Sequence, residues 1–344
     1  MRILFDITHP AHVHFFRNAI RQFQAEGDSV LITSRDKDIT LQLLDQFGFD
    51  HKCLSVAKRG VIGLGIELSE RGLKLIREIQ HFKPDVATAI AGTFIVYGCL
   101  LHRIPTVVFY DTEHARVSNA ITYPLASAVV TPQAYEGDIG KKHLRYKGFQ
   151  ELAYTHPRVF VPDSSVLAEE GLSVGDSFII VRLVNWAASH DVGDSGVQDL
   201  HQVVNTLSQY GRVIISSESP LPDDLQPLQM KGSYKDMLHL QAFARLLYGE
   251  SATMVSECAM LGVPAIFVSS SKRGYINMLQ DKYDMVYSFN ADENKQAKSL
   301  AKAIELLEDS ETGTIWQQKR EKLLLELIDV TQYIVDTVRI YAKC

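Results

Sequence analysis

The 344-residue chain holds only four cysteines, Cys53, Cys99, Cys258 and Cys344. They have neither the paired spacing of a zinc site nor the density of a disulfide scaffold, so the sequence implies reduced thiols in a cytoplasm. Positive charge is also short: 35 Lys and Arg against 41 Asp and Glu give a formal net charge of −6. A general nucleic-acid binder needs a basic face, so the balance argues against that partner class and leaves room only for a local basic patch. The longest apolar run, about residues 86–101, is too short for a membrane span and contains Gly92 and Gly98. Asp6 and Pro10 sit where a signal peptide needs an unbroken apolar core. Neither a Gly-x-x-x-x-Gly-Lys-Ser/Thr loop nor a Gly-x-Gly-x-x-Gly fingerprint occurs, which argues against P-loop nucleotidases and ordinary NAD dehydrogenases. No internal repeat of short period is present.

What remains is the composition of a globular protein, 46% apolar and 22% charged, with a length that suits two domains. An apolar strand at residues 2–7, a turn through Thr8-His9-Pro10-Ala11-His12-Val13-His14, a helix ending near Gly27 and a strand at 29–33 make a β-loop-α-β start. Such a start implies a right-handed crossover and a parallel sheet. Helical spacing follows at 40–47, 68–82 and 95–103, with strands at 83–90, 106–110 and 128–131, the last closing the first sheet. Residues 55–66 read as a Gly-punctuated loop. After a proline-bearing linker the pattern restarts, with strands at 177–184, 212–216 and 285–289 and helices at 197–210, 236–246, 295–307 and 314–327. The expected architecture is two Rossmann-like, doubly wound α/β domains facing a cleft. Residues 1–155 form the first, 156–328 the second, and a helix in 329–344 returns to the first.

The most informative stretch is residues 246–268, which read as a strand end, a tight turn, a short helix and a second strand. Ser251 caps the helix, whose free N–H groups and positive dipole end face whatever lies beyond the strand tips. Glu257 lies one turn inside, on a different face from the apolar residues. Gly262 stops the helix and Pro264 enters the next strand. Such a unit offers amides to phosphate and a carboxylate to hydroxyls.

Three segments carry a family likeness: His9-Pro-Ala-His-Val-His-Phe-Phe16, Tyr110-Asp-Thr-Glu-His114, and the run from Gly249 to Pro264. With them the chain resembles the GT-B superfamily of nucleotide-sugar glycosyltransferases and the related UDP-N-acetylglucosamine 2-epimerases, over almost its whole length. It is most similar to a prokaryotic family of unassigned function within that superfamily, sharing the Asp-Ile-x-x-Pro-x-His-Val-His-Phe-Phe start and the Thr-Met-x-x-Glu-Ala-x-x-Leu-Gly-x-Pro core, which reads Thr253-Met-Val-Ser-Glu-Cys-Ala-Met-Leu-Gly-Val-Pro264 in this chain. The likeness to the lipid-linked N-acetylglucosaminyltransferase of peptidoglycan synthesis implies that Glu257 binds ribose hydroxyls. It also implies that amides near Ser251, Ala252 and Thr253 meet a diphosphate, and that His12 lies beside the reacting centre. The epimerases place a catalytic Asp in a Gly-Asp-Thr segment, where this chain reads Ala91-Gly92-Thr93 without an acid. Relatives favour a Gly-Gly-like turn where this chain has Glu250-Ser251-Ala252, so the Glu250 carboxylate must point away from any diphosphate.

Inverting glycosyl transfer needs a base for the acceptor hydroxyl and charge stabilisation for the departing diphosphate. His12 is the leading candidate base, since imidazole titrates near neutral pH. The alternative is that His9, His12 and His14 are loop residues satisfied by backbone. Asp111 and Glu113, at a strand tip, accept a proton or orient the acceptor; otherwise Asp111 is a cap and Glu113 a solvated residue. Arg182 lies inside a strand, where an unpaired charge is costly, so it reaches either a phosphate in the cleft or a carboxylate. His190, Lys272 and Arg273 are further phosphate-side candidates, with solvated loop positions as the alternative for the last two. Asp36-Lys37-Asp38 is read as a helix cap and not as a metal-binding Asp-x-Asp. Lys58, Arg59, Val61, Ile62, Leu64 and Ile66 form either a mobile loop or a peripheral membrane contact.

The functional expectation is a metal-independent glycosyltransferase, without a separate cofactor, acting on a UDP-linked sugar. Its acceptor is a surface polysaccharide or a lipid-linked saccharide, and its place the cytoplasm or the inner face of the membrane. A UDP-sugar 2-epimerase-like enzyme and a non-catalytic nucleotide-sugar-binding protein are the alternatives.

Overall fold

The computed structural model describes residues 1–58, 60–111, 116–184, 196–270, 273–290 and 294–342. The chain divides into two compact units, Met1–Val159 with Ile328–Cys344, and Phe160–Leu327.

In the first unit, strands β1 (Arg2–Ile7), β2 (Ser29–Asp36), β3 (Lys52–Val56), β4 (Val86–Ile90), β5 (Thr106–Phe109), β6 (Ala128–Pro132) and β7 (His143–Tyr146) alternate with six helices. These are α1 (Pro10–Ala25), α2 (Thr40–Gln46), α3 (Gly60–Phe82), α4 (Ile95–Leu101), α5 (Arg116–Thr122) and α6 (Leu152–Thr155). The seven strands lie in the order β3-β2-β1-β4-β5-β6-β7, and every pairing is parallel. The sheet therefore does not close at residue 131; β7 adds an edge strand. Order reverses between β1 and β4, and a doubly wound sheet opens its crevice there, outside the carboxyl ends of the strands.

Aromatic side chains seat α1 on the sheet. Phe5 on β1 lies 5.3 Å from the ring of Phe16, which lies 5.8 Å from that of Phe109 on β5. Val13, Phe15 and Phe16 of the His-x-His-Phe-Phe motif are all fully buried, so three of its five residues are core. The final helix, α13 (Val330–Ala342), belongs to the same unit. It buries Ile334, Val335 and Val338, and Thr331 Oγ1 donates to the Ala153 carbonyl at 2.8 Å.

Two local readings of the sequence change here. Helix α1 starts at Pro10, so His12 and His14 are helical and not in a turn before the helix. Proline fits the first helical position because its missing N–H is unneeded there, and the His9 ring caps by accepting the Ala11 N–H at 3.2 Å. The stretch read as a Gly-punctuated loop begins α3 instead, although glycine in a helix interior costs about 1 kcal/mol. Tertiary bonding overrides that cost. Glu67, fully buried, takes both Nε and Nη2 of Arg35 at 2.6 Å, Ser55 Oγ at 2.7 Å and the Lys58 N–H at 3.1 Å. Leu64 and Ile66 on α3 are each 48% exposed. Among the described residues no helix is long and apolar enough to cross a membrane.

The second unit carries β8 (Phe178–Leu183), β9 (Arg212–Ser217), β10 (Leu246–Gly249), β11 (Ala265–Val268) and β12 (Val286–Phe289). Its helices are α7 (Leu200–Leu207), α8 (Met237–Phe243), α9 (Ala252–Leu261), α10 (Gly274–Asp281), α11 (Lys295–Glu308) and α12 (Thr312–Glu326). The sheet, again all parallel, runs β12-β11-β10-β8-β9, with its reversal between β8 and β10. Both units are Rossmann-like.

Candidate functional site

In the second unit, the chain leaving β10 at the reversal point turns straight into α9. Ser251 has extended backbone angles, and its Oγ accepts the Met254 N–H at 3.3 Å. The Val255 N–H reaches the Ser251 carbonyl at 3.0 Å. Helix geometry then leaves the N–H groups of Ala252 and Thr253 without acceptors inside the helix. The far end is closed by α12: Gln317 Nε2 donates to the carbonyls of Leu261 and Gly262 at 3.1 Å, and Arg320 Nε to that of Met260 at 2.7 Å. A cation and donors thus occupy the negative end of the dipole, while the positive end faces outward. Gly262 is required at that end, with φ of 75° and room for no side chain, since a Cβ there would lie 2.6 Å from Gln317 Nε2.

Glu257 is 8% exposed, a little over one turn into α9. Helical side chains lean toward the amino end, which directs its carboxylate toward the Thr253–Met254 turn. Glu250 immediately precedes the cap and is also buried. Its Oε2 accepts the Val184 N–H at 2.8 Å and its Oε1 the Val197 N–H at 2.7 Å. The carboxylate is thereby committed to amides that follow β8 and precede α7. A Cβ on Gly196 would fall 1.8 Å from Glu250 Oε1, so this contact needs the glycine.

Arg182, on β8, takes the carboxylate alternative. Nη1 donates to Ser216 Oγ at 2.9 Å and Nη2 to Glu218. Arg273 is half-buried and precedes α10. His190 and Lys272 lie outside the described residues.

In the first unit, His12 sits in the opening turn of α1, at the carboxyl end of β1, and is 9% exposed. Its Nδ1 accepts the Thr8 N–H at 3.3 Å. That bond assigns the proton of the neutral ring to Nε2, which can then donate but not accept. The imidazole is held well below its ordinary value by burial first, then by His9, Lys37 and Arg35. The expectation of His12 as a general base thus meets a geometric obstacle: its accepting nitrogen is already used. His14 faces Arg17, whose Nη1 lies 3.3 Å from Nδ1, and burial followed by Arg17 pushes it down to about 3. The three histidines spend their Nδ1 atoms on three different partners.

Asp111 follows β5 and is partly buried; Glu113 lies outside the described residues. Sequence reasoning missed Tyr146, the last residue of β7. Its hydroxyl is buried without a hydrogen-bond partner among the described residues. Burial raises its pKa well above the ordinary tyrosine value, and the Asp111 and Glu151 carboxylates add to the rise. Sequence reasoning also missed a buried ion network at the carboxyl ends of β1 to β3. Asp6 accepts from Arg71 and from Thr33 Oγ1, and Arg71 donates to the Ser34 carbonyl at 2.6 Å. The signal that was available is Glu67 and Arg71 at i and i+4, on one face of an amphipathic helix. Asp38, read as a cap, does not cap α2; it has φ of 51° and lies 4.0 Å from His9 Nε2.

After β4, Ala91 and Gly92 adopt φ of 61° and 69° in succession. Ala91 thus holds a left-handed conformation that disfavours a Cβ, at the point where order in the first sheet reverses.

The profile of the family described as "Protein of unknown function (DUF354)" matches residues 1–343. The chain belongs to that family. An uncharacterized protein of Methanocaldococcus jannaschii is 24% identical over 277 residues, covering 76% of this chain and 80% of that protein. Among solved structures, the DUF354 chain is similar to UDP-GlcNAc 2-epimerase from Neisseria meningitidis bound to UDP-GlcNAc, with a TM-score of 0.68, 12% identity and coverage of 99% and 100%. It is equally full-length in its match to SsfS6, a glycosyltransferase of Streptomyces sp. SF2575, with a TM-score of 0.62, 12% identity and 99% of each chain covered. At such identities the likeness establishes a shared GT-B fold.

Proposed function

We propose that this DUF354 protein is a glycosyltransferase that takes a nucleoside diphosphate sugar, a UDP-sugar in the simplest case, at the start of α9. The observation that carries the reading is the capped amino end of α9, with two outward amides, a closed far end, and Glu257 one turn inside. Amides and the dipole suit a diphosphate, and a buried carboxylate suits a vicinal diol. Glu250, which threatened such a site with a second negative charge, spends both oxygens on the amides of Val184 and Val197. The nucleotide named in the epimerase structure, UDP-GlcNAc, supports a uridine nucleotide.

In the transfer step the acceptor oxygen attacks the anomeric carbon as the bond to the diphosphate oxygen breaks. A general base takes the acceptor's hydroxyl proton, and the leaving diphosphate carries its electron pair to the Ala252 and Thr253 amides. Within the first unit, His12 offers a neutral donor, its Nε2–H, to a bound oxygen, the role its tautomer supports. Incubating the full chain with a UDP-sugar panel and cell-envelope lipid and polysaccharide extract tests this. Release of UDP only when donor and extract are both present is expected. Release of UDP with a free epimerised sugar in the absence of extract would assign an epimerase, and nucleotide binding without turnover would assign a sensor.

A further inference from the structure

A pocket of about 440 Å³ opens in the first unit beside α5. Its walls include Asn119, Tyr123, Tyr135, Asp138, Ile139 and Lys142. Helix α5 carries the chain from the Asp111 side of the sheet to this pocket, and at 1.5 Å per residue its seven residues span about 10 Å. Tyr123 follows that helix and precedes β6, Lys142 precedes β7, and Tyr135, Gly137 and Asp138 belong to the connection from β6 to β7, so the pocket lies between α5 and that connection.

The walls are fixed by the protein's own bonds. Arg145 Nη1 donates to the Tyr135 carbonyl at 3.1 Å, and Nη2 donates to that of Gly137. The Gly140 N–H reaches Asp138 Oδ1 at 2.8 Å, and Lys142 Nζ reaches the Pro124 carbonyl at 2.6 Å. The Tyr123 and Tyr135 hydroxyls lie 3.3 Å apart. A preformed concavity of this size suits a small ligand or one unit of a larger one.

Its chemistry narrows the ligand. Among the lining residues one carboxylate, Asp138, balances one ammonium, Lys142, so the lining itself carries no net charge. Two phenol rings, a proline and Ile139 offer apolar faces, while Asn119, the two hydroxyls and Asp138 offer donors and acceptors. A ligand with an apolar face and a rim of hydroxyls matches both, and that is a neutral sugar ring. We propose that the pocket is an accessory subsite for a neutral saccharide unit of the acceptor, one or more units removed from the reacting hydroxyl. This rests on the glycosyltransferase reading for its purpose, and it makes the acceptor an oligosaccharide or polysaccharide.

The test is saturation-transfer NMR on the full chain with chitobiose, cellobiose and maltose, with methyl glucuronide and glucosamine as charged controls. Variants Asp138→Ala and Lys142→Ala alter exposed rim residues, and Tyr135→Phe removes one hydroxyl while keeping the ring. Binding of at least one neutral disaccharide is expected, weakened five-fold or more by Asp138→Ala or Tyr135→Phe, with unchanged melting temperature for Asp138→Ala. UDP should not displace it. Absence of any neutral-sugar signal, equal binding of either charged sugar, full displacement by UDP, or indifference to all three variants would each overturn the subsite. UDP binding is measured in parallel. Disaccharide binding without UDP binding removes the transferase reading and leaves the subsite, whereas UDP binding without disaccharide binding removes the subsite alone.

Discussion

The carboxylate of Glu250 accepts the backbone N–H of Val197 at 2.7 Å while its other oxygen holds that of Val184. An acid next to a proposed diphosphate site is thereby turned into a fastening for the chain on either side of residues 185–195. Glu250→Gln keeps one accepting oxygen and replaces the other with an amide NH₂, which leaves a buried N–H facing a donor. A loss of about 1–3 kcal/mol is expected in urea denaturation. Gly196→Ala should cost a similar amount by forcing the carboxylate aside. Wild-type stability in both variants would show that the fastening is idle.

Burial of His14 and its neighbour Arg17 make the neutral ring the folded form down to about 3. An unfolded histidine binds its proton near 6.5. Between those values the unfolded chain holds more protons than the folded one, so stability falls as pH falls, and above about 6.5 this group contributes no slope. The slope approaches about 1.4 kcal/mol per pH unit for one histidine. His12, shifted in the same direction, acts in the same sense. His14→Gln should therefore flatten stability against pH between about 6 and 4 in denaturant titrations; an unchanged slope would remove His14 as a cause.

Much of the fold was legible because it rests on local signals: apolar runs of strand length, glycine stops, and helical spacing in the longer helices. The capped start of α9 was legible for the same reason, since Ser251, Gly262 and Pro264 act within a turn of their own position. What was not legible depends on partners distant in sequence. Glycines at 60, 63 and 65 argue for a loop until Glu67 meets Arg35 and Ser55, which no local pattern announces. The edge strand β7 is short, and its His143-Leu-Arg-Tyr146 carries no clear alternation. Likewise the tautomer of His12 follows from the Thr8 N–H, which only the backbone path reveals.

The Asp6–Arg71 pair illustrates the cost of such distant partners. Both side chains are buried, and Arg71 also holds the Ser34 carbonyl. Arg71→Leu leaves Asp6 with Thr33 Oγ1 alone, and a loss of about 3–5 kcal/mol is expected from an uncompensated buried charge. Thermal denaturation within 1 °C of wild type would contradict the pair's structural role.

Ala91 gives a prediction of opposite sign. At φ of 61° its Cβ is strained, so Ala91→Gly should raise stability by about 0.5–1 kcal/mol, the gain being partly offset by the freer unfolded chain. A loss of stability would mean that the methyl group packs usefully there.

The central claim is that α9 binds a nucleoside diphosphate. Isothermal titration of the full chain with UDP, UMP and uridine measures it most directly. Affinity is expected to fall in that order, and Glu257→Gln to weaken UDP by about 10-fold or more, the worth of a charge-assisted hydrogen bond. No heat from millimolar UDP, or equal binding of UDP and uridine, would contradict the account.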